Sequence, residues 1–231
     1  RVSFVGDLDR YAPRRRLGVA SEFMDAAAPA VEAEIESAVT SCAIELDAEI
    51  GSVTFPEAEA AVDANDAQTV MEFAALLNRG GLLGAGQPAD LRTALRRANG
   101  RLDALPDRVR DLIETGRGLL RETDAYGRTW DARRRAIRRQ QALFTEADVL
   151  VTPTTPIPAP SFGAVPGKGG VSVLDTVENT APFNATGAPA VSVPCGEVDG
   201  RPVGLQLVGP PGSDGYLLRV AESVERALGG E

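Results

Sequence analysis

The sequence predicts an α/β fold, a mixed sheet flanked by helices. Three observations carry this. Short runs rich in Val and Leu at 148–152, 190–193 and 203–208 are bounded by Gly and Pro, as buried strands tend to be. Longer stretches repeat apolar residues at helical spacing. Near the N-terminus the order is strand, helix, strand, with a helix long enough to serve as the crossover between parallel strands.

Taken in order, Arg14-Arg15-Arg16 leads into a short strand at Leu17-Gly18-Val19. Pro29 suits the first turn of a helix, whose apolar residues Val31, Ile35, Val39, Cys42 and Leu46 follow. Residues 53–55, closed by Pro56, read as the next strand. Helical spacing returns over 57–79 through Val62, Val70, Phe73, Ala74 and Leu77, and Gly80-Gly81 stops it. Residues 82–88 read as a loop. Pro106 opens a helix with Val109, Leu112 and Ile113 on one face. A further helix spans about 123–146, with Tyr126, Trp130, Ile137 and Phe144 on its buried side.

A strand at 148–152 then enters a Pro- and Gly-rich loop over 153–170, long for a compact domain and so a candidate wall or lid of a site. Residues 174–183 suit a short helix. Gly187 and Pro189 end it and turn the chain into the strand at 190–193. Asp199-Gly200 is a hairpin turn signal between that strand and the next. Ser213 or Asp214 suits the cap of the last helix, which buries Leu217, Leu218, Val220, Ala221 and Val224.

Composition narrows the function. The 231 residues suffice for one large domain with a sizeable core. No apolar run is long enough to span a membrane and no signal-peptide pattern is present. The net charge of −9 argues against a nucleic-acid partner, because such binding leans on neutralising phosphates. The chain holds no histidine, which removes Ser-His-Asp and Cys-His catalysis and every His-containing metal site. Two cysteines, Cys42 and Cys195, make no disulfide framework; both read as packing residues, and a reducing cytoplasm is the expected compartment. The chain begins at Arg1 rather than Met, which suggests a segment of something longer.

Several constellations invite a chemical reading and fall short of one. Gly163-x-x-x-Gly167-Lys168 has one residue too few between its glycines for a phosphate loop and lacks the following Ser or Thr. Lys168, the only lysine, lies in a glycine loop where it keeps its proton. Arg133-Arg134-Arg135 with Arg138-Arg139 read as a solvated helix face. Asp175 and Glu178 share a helix face, as chance pairs often do.

The stretch Asn184-x-x-Gly187-x-Pro189-Ala190-x-Ser192-Val193-Pro194-Cys195-Gly196, followed by Gly200-x-Pro202-Val203-Gly204-Leu205-Gln206-Leu207-Val208-Gly209, resembles the C-terminal signature of the amidase signature family. Asp148-Val149-Leu150-Val151-Thr152-Pro153-Thr154-Thr155-Pro156 resembles that family's strand and Pro-rich loop. The resemblance runs from about residue 17 to about 228. It implies that residues 1–231 form a single partial domain, the C-terminal portion of an amidase domain.

The family's reaction is hydrolysis of a carboxamide to carboxylate and ammonia or amine by a Ser-cisSer-Lys triad, with an oxyanion held by backbone N–H groups of a Gly-Ser-rich loop. This sequence has no G-G-S-S-G-G pattern, so no catalytic residue is carried over; the triad is expected upstream of the segment. What the C-terminal portion implies is sheet strands and walls of the acyl pocket, with Thr152, Pro153, Thr154, Thr176 and Asn184 as the substrate-binding candidates. No cofactor and no metal are expected. The expected partner is a small-molecule amide, with no direct nucleic-acid contact and no membrane, and a homo-oligomer of the full-length protein is compatible with it.

Two other readings stand beside this one. The amidotransferase A-type subunits, which act in a complex on aminoacyl-tRNA, belong to the same family. Their acidic residue for the substrate amino group aligns with Val177, and their Tyr- and Gly-rich segment is not found over 57–86. The third reading is a truncated pseudoenzyme or binding module without chemistry.

Overall fold

The computed structural model describes residues 16–79, 106–160 and 176–229. Gly80, Gly81, the 82–88 loop, the Gly163 to Lys168 stretch and Asp175 lie outside the described residues. The chain divides into two compact units, Arg1–Val62 with Arg134–Glu231, and Asp63–Arg133. Helices Ala58–Arg79 and Ala125–Glu146 contribute residues to both.

The first unit holds a five-stranded mixed sheet, made by β1 (Arg16–Ala20), β2 (Glu49–Val53), β3 (Val149–Pro153), β4 (Ala190–Val198) and β5 (Arg201–Val208) in the order β2-β1-β3-β5-β4. β1 pairs in parallel with β2 and β3, and β5 runs antiparallel to both β3 and β4. Helix Pro29–Glu45 is the crossover between β1 and β2, with Pro29 in its first turn. All five residues of β3 are buried, as its unbroken apolar run requires of a strand covered on both faces. On one face Leu17, Val149, Val151, Val203, Leu205 and Leu207 pack with Val31, Ile35 and Val39 of helix Pro29–Glu45 and with Leu217, Val220 and Val224 of helix Asp214–Ala227. On the other, Leu150 and Val208 join Phe23, Phe55, Ala136, Leu143 and Phe183.

Four expectations shift. The strand expected at 53–55 is Glu49–Val53, four of whose five residues are exposed. Its strand character comes from pairing with β1 at the sheet edge and not from side-chain propensity. Phe55 instead turns inward, fully buried. The helix expected over 174–183 is, in its described part, helical at 176–177, broken by a turn at 178–180, and followed by helix Ala181–Thr186, because Pro182 starts a new helix more readily than it continues one. Ser213 occupies the N-cap of the last helix but makes no cap bond, since its backbone (φ −94°, ψ 23°) is not the extended conformation that aims the hydroxyl at the first turn. Leu218 of that helix is exposed.

The strand ends are tied electrostatically as well. Arg16 Nη2 lies 2.9 Å from Asp148 Oδ1, and the Arg16 backbone N–H donates to Asp148 Oδ2 at 2.9 Å. The guanidinium hydrogen bond holds the Asp148 carboxyl below its ordinary range. A carboxyl depressed in the folded state adds stability above its unfolded pKa, and that stability is lost as pH falls through the folded value. Asp148→Asn should therefore lower the urea midpoint at neutral pH, and the gap from the parent should close as pH drops through the acidic carboxylate range.

The second unit is helical in its described residues. Gly116 of helix Asp107–Leu119 lies against helix Ala58–Arg79, where a Cβ would stand 2.1 Å from the Val70 carbonyl oxygen. Met71, Ala74 and Ile113 are buried there. Tyr126 and Trp130 meet edge to face at 6.2 Å, with the Arg133 guanidinium 4.9 Å from the Trp130 ring centre. The buried side of helix Ala125–Glu146 is one residue out of phase with the sequence expectation. Ala125 and Thr129 are buried in this unit, and Ala136, Gln140 and Leu143 in the first. Tyr126 is exposed, while Trp130, Ile137 and Phe144 are half-buried.

Candidate acyl-binding cleft

The hairpin β4–β5 closes through Asp199 (φ 53°) and Gly200 (φ 71°), both left-handed, as a two-residue turn matching the strand twist demands. Its register places Ser192 opposite Gln206 and Pro194 opposite Gly204, while β3 places Thr152 opposite the same Gln206. Directly opposed side chains share a face. One face of the sheet therefore carries Thr152, Gln206 and Ser192 in a row. Two residues on from Thr152, just past the end of β3, stands Thr154. Its Oγ1 lies 2.6 Å from Ser192 Oγ, spanning the space above Gly204. A Cβ on Gly204 would fall 2.4 Å from Ser192 Oγ and 2.8 Å from Thr154 Oγ1, so glycine is what lets the two hydroxyls meet.

The loop after β3 is tied down along its described length. Thr154 N–H donates to the Gly204 carbonyl at 2.8 Å, and Ala28 N–H to the Pro156 carbonyl at 2.7 Å. The Arg201 guanidinium donates to the Ala159 carbonyl at 2.9 Å. This makes residues 154–160 a preformed wall. Together with Thr176, Ser192, Pro194 and Pro202 to Gly204 it bounds an open cleft of about 380 Å³. No ionisable side chain stands among its described lining residues.

Of the five substrate-binding candidates, Thr154 and Thr176 line this cleft together. Thr152 lies fully buried beneath it, with Oγ1 accepting from Gln206 Nε2 at 2.8 Å. Pro153 is buried, and its carbonyl accepts from Asn179 Nδ2 at 2.9 Å. Asn184 is exposed on helix Ala181–Thr186, outside the cleft lining. Sequence reasoning passed over Asn179, Gln206 and Gly204 as site-builders; alternation along β3 and β5 was the signal for the last two. Neither cysteine carries nucleophile character. Burial pushes the Cys42 thiol up to about 11, and burial, with Glu34 adding to it, pushes Cys195 up to about 11.

Gly204→Ala tests the hydroxyl pair. The closest contacts of the new methyl are the two hydroxyl oxygens, which can rotate away, with the Thr154 Cβ next at 3.3 Å, so the stability change should stay near about 1 kcal/mol. If the cleft holds the amide expected from the resemblance, its binding should weaken by about 1 kcal/mol, the worth of one hydrogen bond. Urea unfolding and ligand titration separate the two.

A single five-stranded mixed sheet with helices packed on both faces defines an α/β protein. The chain belongs to the amidase family, whose model matches residues 10–218. It is 34% identical over 225 residues to the A-type subunit of the glutamyl-tRNA(Gln) amidotransferase from Symbiobacterium thermophilum, an alignment covering 91% of this chain and 44% of that protein. Among solved structures, it resembles 6-aminohexanoate cyclic dimer hydrolase complexed with substrate, with a TM-score of 0.77 at 21% identity over 98% of this chain and 48% of that one. A bacterial aryl acylamidase belonging to the amidase signature enzymes gives a TM-score of 0.75 at 19% identity over 98% and 46%. These structural likenesses establish the fold. The chain spans less than half the length of the proteins it matches. Among the described residues no helix is long and apolar enough to cross a membrane.

Proposed function

We propose that this chain forms the acyl-pocket portion of an amidase that hydrolyses a carboxamide to carboxylate and ammonia or amine, with its Ser-cisSer-Lys triad supplied by residues outside these 231. The observation that carries the reading is the cleft. Ile157, Pro158 and Pro160 give it an apolar wall, and the Thr154–Ser192 hydroxyl pair gives it one polar point. An apolar wall takes an acyl group out of water, and a fixed hydroxyl pair orients its polar end. Holding the amide in one orientation lowers the entropic part of the barrier for an incoming nucleophile. The missing functions are the activated nucleophile and the oxyanion donors, each worth several kcal/mol of barrier.

A second reading is supported by the names of the curated relatives: the A-type component of an amidotransferase, working in a complex on aminoacyl-tRNA. Against it stands Val177, an exposed apolar residue at the position aligned with the acid that meets the substrate amino group.

The two readings divide on substrate charge. The full-length protein should hydrolyse simple aliphatic or aryl amides, and a chelator should leave the rate unchanged. Turnover confined to glutamine would transfer the assignment to the second reading, and loss of activity on chelation would contradict both.

A further inference from the structure

A buried polar network lies beneath the cleft. Gln206, 3% exposed, donates from Nε2 to Thr152 Oγ1 at 2.8 Å and to the Asn179 carbonyl at 3.0 Å, so both amide protons are committed. Asn179, 1% exposed, donates from Nδ2 to the Pro153 carbonyl at 2.9 Å. Asn179 thus binds β3 through its side chain and β5 through its backbone. The turn at 178–180 is fastened to the strand end at two points.

Such a network has a single satisfied geometry, because a buried amide left without a partner costs more than a made hydrogen bond gains. The apolar clusters on both faces of the sheet already hold the strands together. What the network adds is placement. Three residues before Asn179 is Thr176, and one residue after Pro153 is Thr154, and both line the cleft.

We propose that Asn179 and Gln206 are positioning residues that set the width of the cleft by holding Thr176 at a fixed distance from the Thr154–Ser192 pair, and so decide the size of acyl group it admits. The inference rests on the cleft being the acyl site. Neither residue lines the cleft. Releasing the turn widens the cleft, which weakens the best-fitting acyl chain most and levels the preference among chain lengths.

The test uses the full-length protein with acetamide, butyramide and hexanamide. Asn179→Ala should raise KM for the preferred amide about tenfold, leave kcat within about twofold, and flatten the dependence on chain length. Val220→Ala, a cavity variant in the opposite cluster, serves as the stability control. It should lower the thermal midpoint and leave the chain-length profile intact. If Asn179→Ala lowers the midpoint while every KM stays in place, the positioning role is overturned. The same variant should speed deuterium exchange at the backbone amides of 176–180 relative to β3, and unchanged exchange would overturn the clamp itself. If the parent protein turns over none of the three amides, the functional reading fails. Titration of the same amides into parent and variant then decides the inference: a levelled binding preference supports it, and an unaltered one overturns it.

Discussion

Phe183→Ala is expected to cost about 3–5 kcal/mol of stability, the largest loss from any single substitution considered. Phe183 is 1% exposed in the helix that leads into β4. Its ring stacks on Phe23 at 5.5 Å between centroids and tilts against Phe55 at 6.2 Å, and those two rings stand 6.4 Å apart. The three come from separate elements: Phe23 from the helix after β1, Phe55 from the turn after β2, and Phe183 from the approach to the hairpin. Removing one ring opens a cavity whose walls are fixed by the sheet on one side and by Ala136 and Leu143 on the other. The surroundings have little freedom to collapse, which is the condition for the upper end of the range. Phe183→Leu fills most of the space and should cost much less. Urea unfolding of the two variants measures both, and a loss below about 1 kcal/mol for alanine would show that the trio is not the joint described.

Most of the sheet was legible in the sequence. β3 is an unbroken apolar run because both its faces are covered, and the hairpin announces itself through Asp199-Gly200. Gly187 ends its helix in the left-handed region (φ 72°), as the Gly-x-Pro pattern requires. β2 was misplaced because Glu49-Ile50-Gly51-Ser52 has no strand pattern of its own and is a strand only by virtue of its neighbour. The phase of helix Ala125–Glu146 was misjudged because its aromatic residues drew the hydrophobic face toward them, while Ala125, Thr129, Ala136, Gln140 and Leu143 form its buried side.

The cleft was legible in part. Thr154 and Thr176, taken from the resemblance, line one cleft; strand alternation marked Gln206, whereas Asn179, a polar residue in a turn, gave no signal in a single sequence. Thr152 was assigned to the ligand on its position. The register with Gln206 turns it into the base on which the cleft rests. Asn184 carries the motif identity but stands exposed outside the cleft lining.

The 231-residue chain alone is expected to give no steady turnover of amides. Amide cleavage needs a nucleophile beside a base, and no histidine exists in this sequence to serve as one. The only lysine, Lys168, stands among glycines, Gly167 on one side and Gly169-Gly170 on the other. Ser192, the serine of the cleft, shares its hydroxyl with Thr154, which has no basic character. Both thiols are pushed away from the thiolate form. The proposed reading assigns walls and orientation to this chain and the chemistry to residues outside it. The direct measurement is release of ammonia or amine from a neutral aliphatic amide by the purified 231-residue chain, run beside its Lys168→Ala variant and the full-length protein. The account predicts turnover by the full-length protein alone, with the chain and its variant both at the background rate. Steady turnover by the chain that Lys168→Ala abolishes would contradict it.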